Sequence, residues 1–100
     1  MNPIEDEIRI FLNLKTYPAR LNREQAAALL GFEPHQIPVI VQEGLLKPLG
    51  RPAQNGEKFF ASAELEKLKH DKEWLSKATL AVSRFYQKKN ARKGKTQNVI

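Results

Sequence analysis

Apolar residues recur at helical spacing over most of the chain and give way to short extended runs in one stretch, 45–61. Ile4, Ile8, Phe11 and Leu12 fall three and four apart, forming one face of a helix that spans roughly 3–14. Asn2 offers a capping side chain and Pro3 a ring already at helical φ, while Glu5, Asp6 and Glu7 complement the helix dipole. Tyr17-Pro18 interrupts the pattern, so 15–20 is a connector. Asn22 with Gln25 three residues on has capping-box spacing ahead of Ala26, Ala27, Leu29 and Leu30. Gly31 is the natural stop, because it tolerates the left-handed conformation of a sharp turn. The next helix is expected to bury Phe32, Ile37, Ile40 and Val41. Pro38 lies inside it without the N–H needed to reach Pro34, so the simpler reading starts regular helix at Pro38 after an irregular stretch from Glu33 to Ile37.

Beyond Gly44, LLKPLG and EKFFA are extended candidates on either side of a Pro- and Gly-rich loop ending in Asn55-Gly56, which predicts a β-hairpin, or wing, over 45–61. Ser62 is the expected cap of the following helix, with Glu64 in its first turn, Leu65 and Leu68 facing inward, and Asp71 continuing or restarting it. From Asp71 to about Asn90, Leu75, Ala78, Val82 and Phe85 recur at three and four, flanked by Trp74, Ala81 and Tyr86, the pattern of a long amphipathic helix. Residues 91–100 are polar, basic and Gly-containing, and read as a flexible tail. The fold expected is therefore mainly α with a small β-hairpin: one domain over 1–90, with helices in 3–14, 22–43 and 62–90.

One hundred residues provide a single small domain that buries about 60–65% of its unfolded surface. The absence of Cys removes disulfides and thiolate metal sites and fits a reducing cytosol. MNPIEDEIRI is not a secretory signal, and no run reaches transmembrane length, so a cytoplasmic protein is expected. The formal charge of +6 is unevenly placed: residues 1–73 hold 10 Lys and Arg against 11 Asp and Glu, whereas 74–100 hold seven basic residues and no acidic one. Attraction to an anionic partner is thus a property of the C-terminal part.

With these elements in order, residues 21–68 resemble the winged helix-turn-helix DNA-binding domains of the MerR and phage-excisionase families. The resemblance rests on Ala27 as the small residue of the first helix, Gly31 at the turn, and Ala26, Leu30, Phe32, Ile37 and Ile40 at the buried positions. Gly44-Leu45-Leu46, Pro48, the Gly56 to Phe60 strand and a supporting helix over Ser62 to Leu68 complete it. It implies a small transcriptional regulator or excisionase-like accessory factor binding double-stranded DNA. Arg23, Arg51 and Lys58 stand where such domains touch the phosphate backbone, a role whose bland alternative is surface charge. The outward face of the second helix reads Glu33, Pro34, His35, Pro38, Val39 and Gln42, with Gln36 to one side. Only His35, Gln36 and Gln42 there can reach base edges, so backbone contacts are expected to dominate, with Lys88, Lys89, Arg92, Lys93 and Lys95 as a basic arm. A different class of function is open as well. The uncharged second helix, with Pro34, Pro38 and Val39, suits a protein-interaction adaptor.

The remaining candidates read more plainly. His35 and His70 lack metal-ligand spacing, and no paired-carboxylate, Gly-rich or nucleophile-base motif is present, so neither metal, cofactor nor enzymatic activity is expected. Phe59, Phe60 and Trp74 are read as core rather than as a base-stacking platform. The stripe Leu75, Ala78, Val82 and Phe85 is expected to pack back onto the first helix, with a homodimer seam as the alternative.

Overall fold

A computed structural model describes residues 3–94. The fold is mainly helical with one small two-stranded antiparallel sheet. Helix α1 covers Pro3–Leu12 and closes with Asn13 and Leu14 amides donating to the Ile10 and Phe11 carbonyls, 3.1 Å each. Of its expected stripe, Phe11 is buried against Tyr17, ring centroids 4.7 Å apart, Ile8 is half-buried and Leu12 is exposed.

Strand β1, Arg20–Leu21, leads into α2, Arg23–Leu30. The capping box forms as its spacing predicts: Asn22 Oδ1 accepts from the Gln25 amide at 2.8 Å and Gln25 Oε1 from the Asn22 amide at 3.0 Å. At the other end Gly31 has φ +87°, and the Ala27 carbonyl accepts from both the Gly31 and Phe32 amides at 2.8 Å. Ala26, Ala27, Leu29 and Leu30 are all buried.

A 3-10 turn over Pro34–Gln36 runs into α3, Ile37–Gln42. Pro34 and Pro38 both fall in first-turn positions, where the missing N–H has no intrahelical partner to lose. Regular helix thus begins one residue before Pro38. Three expectations fail here: Val39 is buried rather than outward, Val41 is half-buried and lines a cleft, and Phe32 is only half-buried. The 3-10 turn winds three residues per turn instead of 3.6, which advances the helical phase, and α3 is covered on two sides, by α2 and by the last helix.

The expected hairpin does not form. Strand β2, Phe60–Ala61, pairs with β1, setting Arg20 opposite Ala61 and Leu21 opposite Phe60. Between 45 and 59 a single cross-loop bond, Leu49 amide to Phe59 carbonyl at 2.8 Å, remains of the anticipated ladder. Pro48 and Pro52 remove donors from that arm. Asn55-Gly56 does turn the chain, with the Gly56 amide donating to Ala53 at 2.8 Å.

Helix α4 is Ser62–Lys69. Ala61 occupies the cap position, with no side-chain bond, and Ser62 is already helical, its amide donating to Ala19 at 2.9 Å; the expected Ser62 cap is therefore absent. Leu65 is fully buried and Leu68 half-buried. Helix α5 spans Lys72–Gly94. Asp71 restarts the helix rather than continuing it, since its Oδ1 accepts from the Trp74 amide at 3.0 Å. Residues 91–94 of the expected tail are helical, and 95–100 lie outside the described residues. The main neighbours of α5 are α3 and α4, whereas α1 lies on α2, so the last helix does not chiefly pack on the first. Trp74, Ala78, Ala81 and Val82 are buried, Leu75 and Tyr86 half-buried, and Phe85 exposed. Trp74 Nε1 donates to the Leu45 carbonyl at 2.7 Å, tying α5 to the end of α3.

Phe60, Leu21, Ile37, Ile40 and Leu65 are the largest fully buried side chains, each contributing about 1.5–3 kcal/mol by leaving water. Among the described residues no helix is long and apolar enough to cross a membrane.

Candidate nucleic-acid interface

A cleft of about 710 Å³ opens between the start of α2, the outer side of α3 and the 54–58 loop. Ile37, Pro38 and Val41 give it an apolar floor, with Phe60 at its base. Arg23 and Glu24 stand on one wall, Glu57 and Lys58 on the other, and Gln42, Gln54 and Asn55 add neutral polar groups. Two cations and two carboxylates cancel, so the cleft does not draw phosphate by net charge.

Its cations are also engaged. The Arg23 guanidinium lies 3.6 Å from the Glu24 carboxylate, the one ion pair among the described residues, and both side chains are about half exposed. Such a pair is worth about 0–1 kcal/mol, weak enough for a phosphate to displace. Lys58 Nζ donates to the Gln54 carbonyl at 3.1 Å and the Gly56 carbonyl at 3.4 Å, holding the loop closed with two of its three donors.

Of the expected base readers, Gln42 is exposed in the cleft. Gln36 is half-buried and its Oε1 accepts from the Glu33 amide at 2.9 Å, which commits the oxygen to the 3-10 turn and leaves its amide group as donor. His35 is exposed and stands away from the cleft, edge-on to Tyr86 with centroids 6.0 Å apart. Arg51 is exposed and is not among the residues lining the cleft. Thus Arg23, Gln42 and Lys58 are brought together, while His35, Gln36 and Arg51 are not with them.

The other expected cations belong to α5. Lys88 and Lys89 are exposed, and Lys89 Nζ sits 5.9 Å from the Tyr86 ring centroid. Arg92 and Lys93 lie in the last helical turn, their side chains outside the described residues. Tyr86 therefore joins the basic half of α5 to His35, a link the apolar pattern did not reveal because it marks Tyr86 only as a flank of the stripe. Arg20 was likewise not singled out. Its guanidinium lies 4.2 Å from the Phe59 ring centroid, a contact that exists because β1 pairs with β2. As for the candidate dimer seam, Ala78 and Val82 are in the core, leaving Phe85 exposed at its far end.

No family model matches the chain, and comparison with curated proteins and with solved structures likewise finds no match.

Proposed function

We propose that this chain is a DNA-binding protein of winged helix-turn-helix form, a small transcriptional regulator or excisionase-like accessory factor that holds duplex DNA mainly through phosphate contacts. The observation that carries the reading is the conjunction, on one small body, of two helices hinged at left-handed Gly31 with Ala27 buried between them and a long helix that has no acidic residue after Glu73. In the reading, Arg23, Arg51, Lys58, Lys88, Lys89, Arg92 and Lys93 contact phosphates, and His35, Gln36 and Gln42 face the groove with little power to discriminate bases. The test is duplex binding across a salt series. A linear fall of log affinity with log salt is expected, and no binding at about 50 mM salt, or no salt slope, rejects the reading.

The cleft favours a second reading, an adaptor whose α3 captures a protein. Its apolar floor and balanced charge suit a side chain more than a phosphate. With Val39 buried, the contact face shifts to Pro38 and Val41. A partner whose capture is indifferent to Pro38→Ser and Val41→Ser argues against it.

A further inference from the structure

The charge on α5 is aligned as well as one-signed. At about 100° per residue, Lys77, Arg84 and Lys88 fall within about 40° of one another, and all three side chains are exposed. They make a row about 16 Å long at about 1.5 Å per residue. None has a carboxylate within ion-pairing distance among the described residues, where Arg23–Glu24 is the sole pair. An ordinary solvated helix face interleaves signs, as α4 does with Glu64, Glu66, Lys67 and Lys69. Beyond Glu73, α5 instead carries Lys77, Arg84, Lys88, Lys89, Arg92 and Lys93 unopposed. Arg84 and Lys88 are four apart, a like-charge spacing that weakens an isolated helix, so helix stability does not account for the row.

The row also has a definite orientation. Tyr86 projects about 180° around the helix from it and meets His35, so Lys77, Arg84 and Lys88 lie on the flank of α5 opposite the 3-10 turn, with the buried side chains of Ala81, Trp74, Ala78 and Val82 between the two. We propose that this flank is the principal phosphate track of the protein: a duplex backbone lies along α5 against Lys77, Arg84 and Lys88, on a face separate from the cleft. The proposal rests on the DNA-binding reading and moves its main contacts from Arg23 and Lys58, which line the cleft, to Lys77, Arg84 and Lys88. An anionic bilayer offers the same charge, but the row has only Leu80 on one side and Phe85 on the other as large exposed apolar side chains, not the continuous apolar face that an interfacial helix buries.

The test compares the full chain with Lys77→Gln/Arg84→Gln/Lys88→Gln and with an equal-charge control, Lys15→Gln/Lys47→Gln/Lys69→Gln, all at exposed positions. Gln is a good helix former, and circular dichroism verifies that both variants keep native helicity. Affinity for a labelled duplex is measured by anisotropy from 50 to 200 mM salt, alongside vesicles of anionic lipid. The flank variant is expected to lose about 2.7 from the log–log salt slope, about 0.9 per phosphate contact, and about 500-fold in affinity near 0.1 M salt, while the control keeps its slope. Equal losses in both variants reduce the effect to net charge and overturn the proposal. An unchanged flank slope with wild-type duplex binding intact overturns it and leaves the DNA-binding reading standing. Vesicle binding that depends on the flank while duplex binding does not also overturns it, and a wild-type chain that ignores duplex DNA removes both.

Discussion

At the residue scale, a few positions carry conformations or bonds that their neighbours cannot replace. Gly31 is held at φ +87°, and although a Cβ there would meet nothing within 4 Å, the left-handed backbone itself penalises an L side chain. Gly31→Ala is expected to cost about 1 kcal/mol and Gly31→Asn less, read as a lower urea midpoint at unchanged slope. Trp74 is a bond as well as a ring: Trp74→Phe keeps most of the volume, strands the Leu45 carbonyl, and is expected to cost about 1 kcal/mol in the same assay. Full stability in Trp74→Phe would show that water replaces that bond. The Asn22–Gln25 box and the Gly31 stop were legible in the sequence because each depends on residues within five positions of itself. Val39 and Val41 exchanged roles because their burial depends on the winding of a 3-10 turn and on α5, more than thirty residues away in sequence.

At the element scale, helices were easier to anticipate than strand partners. The 3.6-residue pattern located α1, α2 and α5 to within a few residues, since a helix makes its own hydrogen bonds. A strand must find a partner, and β2 took β1 instead of the arm containing Pro48 and Pro52. Amide hydrogen exchange distinguishes the two arrangements. Leu49 and Ser62, whose amides donate to Phe59 and Ala19, are expected to exchange more slowly than Ala53, Gln54 and Asn55. Alternating protection along both 46–50 and 57–61 would instead indicate a hairpin. The same experiment should show the helical protection of α5 continuing past Asn90 and decaying toward Gly94.

At the scale of the whole molecule, the distribution of charge separates two faces. The cleft beside α3 is neutral and partly apolar, and its cations are tied to Glu24 and to loop carbonyls. The unopposed cations belong to α5; the sequence already located the basic surplus in 74–100, but singled out only the run from Lys88 to Lys95 as an arm. Lys77, Arg84 and Lys88 recur at helical spacing as the apolar stripe does, but that all three are exposed without a carboxylate partner depends on which elements cover α5, which the spacing does not give. From this division, a His35→Ala/Gln36→Ala/Gln42→Ala variant is expected to change duplex affinity by less than about tenfold, since such side chains confer discrimination rather than phosphate attraction. The central claim, that duplex DNA is held by its backbone and not read by α3, is tested most directly by measuring the affinity of the full chain for two equal-length duplexes of unrelated sequence between 50 and 200 mM salt. The account predicts two straight, falling log–log lines within about tenfold of each other. A flat line, no binding at 50 mM, or a preference of about 10³ or more for one sequence would contradict it.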